Sequence, residues 1–154
     1  MKDIEKNIIT EWNNRFPKSK LIQSSFEYER FDAHNDKCIV ELKYRSSWYD
    51  KMIIEFDKYS YNSWFAHMVD KKFFYVVAYK NKIVVFNITE LNKYKYNYGW
   101  EYRVMPKQTE FCLDNKIVKF VGYLDYNKLK DSDFVYEFNA ENNLNTTKSL
   151  FAHK

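Results

Sequence analysis

Two hydrophobic periods run along this chain. Between Lys2 and Phe16 the apolar residues are Ile4, Ile8, Ile9, Trp12 and Phe16. Steps of three and four put them on one stripe of an α-helix, and Pro17 stops it. From Leu21 to Asp32, the residues Phe26, Tyr28 and Phe31 alternate loosely with polar ones, which predicts a strand. Asn35 and Asp36 supply turn chemistry within His34–Lys37, and Cys38–Arg45 reads as the returning strand of a hairpin. Ser46–Lys51 reads as a loop. Helical spacing predicts a helix over Glu55–Val69 anchored by Tyr59, Trp64, Phe65 and Met68, although the run MIIEF at its start also fits a strand. Phe73–Tyr79 and Ile83–Ile88 are β-rich and predict a hairpin around Lys80–Lys82. Tyr94, Tyr96, Tyr98, Trp100 and Tyr102 recur at every second position, which is strand periodicity. Lys116–Leu124 and Phe134–Phe138 predict further short strands. No repeat or linker divides the chain, so residues 1–139 read as one domain and 140–154 as a polar tail.

Composition narrows the class. A chain of 154 residues that is 45% hydrophobic suits one sizeable core and excludes a disordered chain. The net charge of +4 is a mild bias toward polyanions and no nucleic-acid signature by itself. Cys38 and Cys112 lack the spacing of a zinc site, and Cys38, inside the run CIVEL, reads as a packed hydrophobe. The N-terminus, MKDIEKNII, has no signal-peptide core, and no apolar run is long enough to cross a membrane. These features predict a protein with reduced thiols, no membrane partner and a cytoplasmic location, the host cytoplasm if it is phage-encoded.

The run Cys38–Arg45 holds the chemistry. Glu41 and Lys43 sit two apart inside an apolar strand, where charge is costly to desolvate. Alternation puts Ile39, Glu41, Lys43 and Arg45 on one face and Cys38, Val40, Leu42 and Tyr44 on the other. A hairpin turning at His34–Lys37 brings Asp32 to the Glu41 face, opposite it or one diagonal away. Two carboxylates a few ångströms apart repel unless a cation lies between them. Mg²⁺, with Mn²⁺ as its substitute, needs only one or two carboxylates plus water and phosphate oxygens. A lysine beside them can orient water or stabilise charge on the phosphate. That chemistry is metal-assisted phosphodiester hydrolysis. The bland alternative is a solvated cross-strand Glu–Lys pair, since Glu-x-Lys alone is common.

With FDA ending at Ala33 and IVELKYR around Glu41 and Lys43, in the order helix, strand, turn, strand, helix, strand, the chain resembles the PD-(D/E)XK nuclease superfamily. The likeness covers about residues 4–88 and is strongest toward archaeal-type Holliday-junction resolvases and small phage-encoded nucleases. Phe31, not proline, precedes Asp32. The resemblance implies an α/β fold with a restriction-endonuclease-like αβββαβ core: a central mixed sheet flanked by helices. It implies a Mg²⁺-dependent DNA endonuclease, resolvase-like, with a homodimer as its cutting form. Asp32, Glu41 and Lys43 would be catalytic. Asp32 and Glu41 would hold the metal, with Glu5 from IEKNIITEWNNRF as a third ligand. Lys58, in IIEFDKYSYNSW, would contact the nucleic acid together with Arg45.

Several alternatives stay open. Glu11 competes with Glu5 on the same helix, and Glu5 also suits a first helical turn. Lys58 also reads as a solvated lysine. Alternation turns Glu29 away from Asp32. The Tyr94–Tyr102 series fits either the core face of a strand or a platform that stacks exposed bases. His34, His67 and His153 are too scattered for a metal site. A nuclease-fold module that binds nucleic acid or a protein without cutting is the second reading.

Overall fold

The computed structural model describes residues 2–25, 30–106 and 116–140. Phe26, Tyr28, Glu29, Cys112, His153 and the expected tail beyond residue 140 lie outside the described residues. The chain opens with α1 (Lys2–Arg15), then β1 (Ile22–Gln23), β2 (Ala33–His34), β3 (Cys38–Tyr44) and β4 (Lys51–Glu55). It continues with α2 (Phe56–Met68), β5 (Lys72–Tyr79), β6 (Lys82–Asn87) and α3 (Ile88–Lys93). The last elements are β7 (Glu101–Pro106), β8 (Lys116–Asp125), α4 (Tyr126–Leu129) and β9 (Val135–Asn139).

Among the described residues these strands form two sheets, one ordered β1-β2-β3-β5-β6-β9 and the other β4-β8-β7. In the larger sheet β3 and β5 run parallel, joined through β4 and α2, and the remaining pairs are antiparallel. The fold is therefore α/β with a mixed sheet and flanking helices. Strands β5 and β6, KFFYVVAY and KIVVFN, are buried on both faces, which is why their sequences are nearly continuous apolar runs.

Each face of the larger sheet carries its own cluster. Ile8, Ile9 and Trp12 of α1 pack on Val40, Leu42, Phe74, Val76 and Val85. On the opposite face, Ile39, Phe73, Tyr75, Val77, Val84 and Phe86 meet Ala66 of α2 and Met52, Ile54 and Leu124 of the smaller sheet. The helix at residues 2–16 thus forms as its stripe predicts, and Trp12 Nε1 donates to the Ser19 carbonyl at 2.9 Å to fix the exit beyond Pro17.

Three expectations need correction. Of the strand expected over Leu21–Asp32, the described residues form only β1 at Ile22–Gln23, and β2 lies just beyond it at Ala33–His34. Asn35 Oδ1 accepts from Lys37 N at 2.8 Å and Cys38 N at 2.9 Å, so the turn forms where its residues predict it. The helix expected from Glu55 begins at Phe56, because MIIE pairs with β8 as β4. Its expected anchors Trp64 and Met68 are 58% and 64% exposed, whereas Asn62 and Ala66 are buried.

The third correction concerns Tyr94–Tyr102. Tyr94 closes α3, with its N–H on the Glu90 carbonyl at 3.2 Å. Lys95 and Gly99 then take left-handed backbone angles, φ 55° and 64°, which a strand cannot hold. The rings become a strut instead. Tyr98 is buried against Tyr59, with centroids 4.9 Å apart, and Trp100 packs on Phe56 at 5.0 Å and Tyr59 at 4.8 Å. The hydroxyls of Tyr59 and Tyr98 each donate to Asn92 Oδ1 at 2.9 Å. The base-stacking alternative loses its central rings to this core, although Tyr94 and Tyr102 remain exposed.

Gly122 marks how tightly the strut is packed. A Cβ there would lie 2.8 Å from both Trp100 Cζ3 and Tyr98 Cβ. Tyr98 Cβ is tied to the backbone and cannot swing aside. Gly122→Ala is expected to lower the unfolding free energy by about 1–3 kcal/mol. Urea unfolding measures this, and a midpoint equal to that of the parent would show that the strut yields freely.

Candidate active site

The site forms where β3 loses a neighbour. Strand β2 pairs with β3 only at Ala33–Val40 and His34–Ile39. Among the described residues no strand covers that edge of β3 from Glu41 onward. Asp32 takes over: its Oδ2 accepts the Leu42 N–H at 2.7 Å, and its own N–H donates to the Val40 carbonyl at 2.9 Å. A side-chain carboxylate thereby satisfies a backbone donor that a longer strand would have bonded. Phe31, just before Asp32, is buried and packs on Phe65 of α2 at 5.5 Å. Asn62 Nδ2 of α2 donates to the Arg30 carbonyl at 3.4 Å, holding the segment that leads into Asp32.

Continuing the register by one residue sets Asp32 against Glu41, and the two carboxyl groups are close enough to share a side-chain hydrogen bond. Glu41 is buried. Lys58, on the first turn of α2, places Nζ 3.0 Å from Glu41 Oε1 and 3.8 Å from Glu55 Oε2. Lys119 of β8 closes on Glu55 Oε1 at 2.6 Å. Opposite charges alternate from Lys119 through Glu55 and Lys58 to Glu41, and the series ends at Asp32.

Burial sets the protonation chemistry. It pushes the Asp32 carboxyl from its ordinary 3.8 up to about 6, against the Leu42 hydrogen bond, and the Glu5 charge adds to the rise. It pushes Glu41 from 4.5 up to about 8, with Asp32 adding to the rise and Lys58 opposing it. Burial lowers the Lys43 ammonium, and the nearby cations Arg45 and Lys58 lower it further. Burial also works to lower Lys58, but Glu41, Glu55 and Asp32 outweigh it and hold the ammonium charged. Glu55 falls below its ordinary range because Lys119, Lys58 and Lys43 outweigh its burial.

Of the residues predicted for the site, Glu5, Asp32, Glu41, Lys43 and Lys58 line one cavity of about 260 Å³. Glu5 accepts from Gln23 Nε2 at 3.4 Å, and its charge reaches Asp32. Glu11 is not among the lining residues. Arg45 lies apart, with Nη2 on the Ile53 carbonyl at 3.2 Å and its side chain in a neighbouring cavity. A second cleft reaches the carboxylates from another side and adds Arg30 and Asp57. Among the described residues no three His, Cys, Asp or Glu side chains form a group able to hold a metal ion. The donor set is the Asp32–Glu41 pair, a number that suits a hard divalent ion completing its shell with water and phosphate.

Sequence reasoning missed Arg30, Glu55, Asp57 and Lys119. Glu55 had one legible signal, its i, i+3 spacing from Lys58. Lys119 reaches the site from β8 and had none. Comparison with family models, curated proteins and solved structures finds no match for the chain.

The raised carboxyl values fix the sign of a pH dependence. A carboxyl with a higher pKa when folded binds its proton more tightly in the native state. Its contribution is complete below the unfolded values of 3.8 and 4.5 and is lost as pH rises through about 6 for Asp32 and about 8 for Glu41. In metal-free buffer, thermal stability is expected to fall between pH 4 and pH 8. Glu41→Gln, which carries no such charge, is expected to flatten the fall. Thermal melts across that range test it, and parallel profiles for the two proteins would contradict the assignment.

Proposed function

We propose that this chain is a Mg²⁺-dependent DNA endonuclease built on a restriction-endonuclease-like core, with resolvase-like action on branched DNA as its finer form. The observation that carries the reading is the adjacency of Asp32 and Glu41. The half-buried Asp32 and the buried Glu41 share a cavity with Lys43 and Lys58, and burial raises both, with the Glu5 charge adding to Asp32 and the Asp32 charge adding to Glu41. Such an arrangement costs stability unless a cation offsets it.

The residues fit a divalent ion. Asp32 retains one oxygen beyond the one that accepts from Leu42 N, and Glu41 faces the same cavity. Those two side chains would hold the metal, with Glu5 at the margin through water. When bound, the ion supplies Lewis-acid polarisation of a phosphoryl oxygen and acidifies water. Lys43 has the complementary task. An ammonium has no lone pair for a metal, so Lys43 acts on the phosphate or on the attacking water. Its lowered pKa eases proton exchange with that water. Lys58 neutralises Glu41 and, being 42% exposed, can shift toward an incoming phosphate.

A specific contact favours the second reading, a nuclease-fold module that binds without cutting. The Lys58 ammonium already neutralises one side of Glu41 at 3.0 Å. Titration with Mn²⁺ separates the two. Binding that is lost in Asp32→Ala supports the endonuclease, whereas no binding by the parent protein supports the module.

Asp32→Ala is expected to abolish cleavage of branched and linear DNA while the fold persists. Lys43→Ala is expected to lose about a hundredfold or more in turnover with a much smaller change in Mn²⁺ affinity. Single-turnover cleavage beside calorimetric Mn²⁺ titration distinguishes the roles. Equal cleavage by Asp32→Ala at saturating Mg²⁺ would remove the site assignment. A Lys43→Ala variant that loses metal but cuts normally at high metal would reduce Lys43 to a prop for the carboxylates.

A further inference from the structure

Beside the carboxylate cavity lies another of about 250 Å³, at the carboxyl ends of β3 and β5. Its polar and aromatic walls are Arg45, Trp48, Tyr49, Lys51, Tyr79 and Arg103, over an apolar floor. Among the described residues three cations and three aromatic rings line it, and no carboxylate does. Next door the lining is mixed: the carboxyl groups of Asp32, Glu41 and Glu5 stand beside Lys43 and Lys58.

The parts are held in place. Arg45 is anchored on the Ile53 carbonyl at 3.2 Å. Trp48 is fixed by its Nε1 bond to Asp50 Oδ1 at 2.9 Å, by the edge of Tyr126 at 4.8 Å and by Tyr79 at 5.7 Å. Tyr49, next to it, is 61% exposed. Arg103 is exposed, and its Nη1 donates to the Tyr123 hydroxyl at 3.4 Å. Asp50 and Glu101 stand behind the wall, on Trp48 Nε1 and on the Tyr123 hydroxyl, but the lining itself sets flat aromatic faces beside cations, which suits a planar ligand that carries negative charge. A nucleobase with its phosphate has that chemistry: rings stack on the base and guanidinium groups take the phosphate. The volume lies just below the usual range of ligand pockets, which begins at about 300 Å³, so the cavity suits a single nucleotide unit better than a larger ligand.

Position ties the cavity to the site. Lys43 and Arg45 share a face of β3, and Lys43 lines the carboxylate cavity while Arg45 lines this one. Two residues along a strand span about 7 Å, comparable with one nucleotide of an extended strand. The two side chains are near enough for the Arg45 charge to lower the Lys43 ammonium.

We propose that this cavity receives the unstacked base and phosphate of the nucleotide next to the one cleaved, so that the enzyme engages its substrate as a local single strand. The proposal rests on the endonuclease reading. A base held between rings cannot also be paired in a duplex, so selectivity for single-stranded or frayed positions follows from the pocket and not from the carboxylates.

The test uses a short single-stranded DNA carrying one 2-aminopurine, with Ca²⁺ in place of Mg²⁺, and the same strand in a complete duplex. The full-length chain is expected to bind the single strand more tightly than the duplex and to quench the 2-aminopurine. Tyr49→Ala is expected to relieve the quenching and weaken binding roughly tenfold, the scale of one lost stacking contact. Arg103→Ala is expected to weaken binding similarly and to flatten its salt dependence. Both side chains are exposed, so circular dichroism should report intact folds. If both variants bind and quench like the parent while Asp32→Ala has lost cleavage, the pocket is wrong and the nuclease stands. If the parent chain neither binds nor cuts DNA, both readings fall together.

Discussion

The hydrogen bond from Leu42 N to Asp32 Oδ2, 2.7 Å long, is the constraint on which the site rests. Strand β2 ends after two residues, so β3 enters the cavity with one edge bare. A buried backbone donor must find a partner, and a carboxylate is the partner supplied. Everything electrostatic follows from that choice. Asp32 is committed to a half-buried place beside Glu41, where neither carboxyl group can ionise at its ordinary pH. The open edge also leaves room for the cavity, because a full-length β2 would fill the space that Glu5, Lys43 and Lys58 now border.

Charge balance then extends outward. Lys58 offsets Glu41, Glu55 offsets Lys58, and Lys119 offsets Glu55, so the smaller sheet is tied electrically to the larger one. Breaking one member of a buried pair leaves an uncompensated charge, whereas replacing the whole pair with apolar side chains is often neutral or stabilising. Asp32 has a structural task in satisfying the Leu42 N–H, but a fold selected for stability alone has no such need of Glu41. The place of Glu41 in a mostly apolar strand is the physical argument for a ligand that carries positive charge.

Much of this was legible in the sequence, for reasons of local geometry. Alternation fixed the face shared by Ile39, Glu41 and Lys43, because Cys38–Tyr44 is regular over its full length. Turn chemistry at Asn35 set the hairpin register and so brought Asp32 to Glu41. The helical stripe gave α1, and with it Glu5. What stayed hidden depended on partners distant in the chain. β4 was ambiguous because MIIE becomes a strand only by pairing with β8, about 70 residues later. Lys119 joins the site through that pairing alone. The tyrosine series misled because period two was read as a strand where left-handed residues at Lys95 and Gly99 fold the segment into a knot of rings.

That knot has a consequence for the site. Phe56 and Tyr59 flank Lys58 on the first turns of α2, and both pack against Trp100. Glu55 caps the helix without a side-chain hydrogen bond, and the first turn is tied locally by the Glu55–Lys58 pair at 3.8 Å and by Asp57 Oδ1 on Lys58 N. The start of α2 is further positioned by aromatic contacts with the segment after α3, and by Tyr59 through Asn92. Lys58 reaches Glu41 because those rings hold its helix there. The aromatic excess of this chain, 20% of its residues, is in this region a substitute for helix capping. Those contacts position the helix start and keep the cation that balances Glu41 in register with the carboxylates.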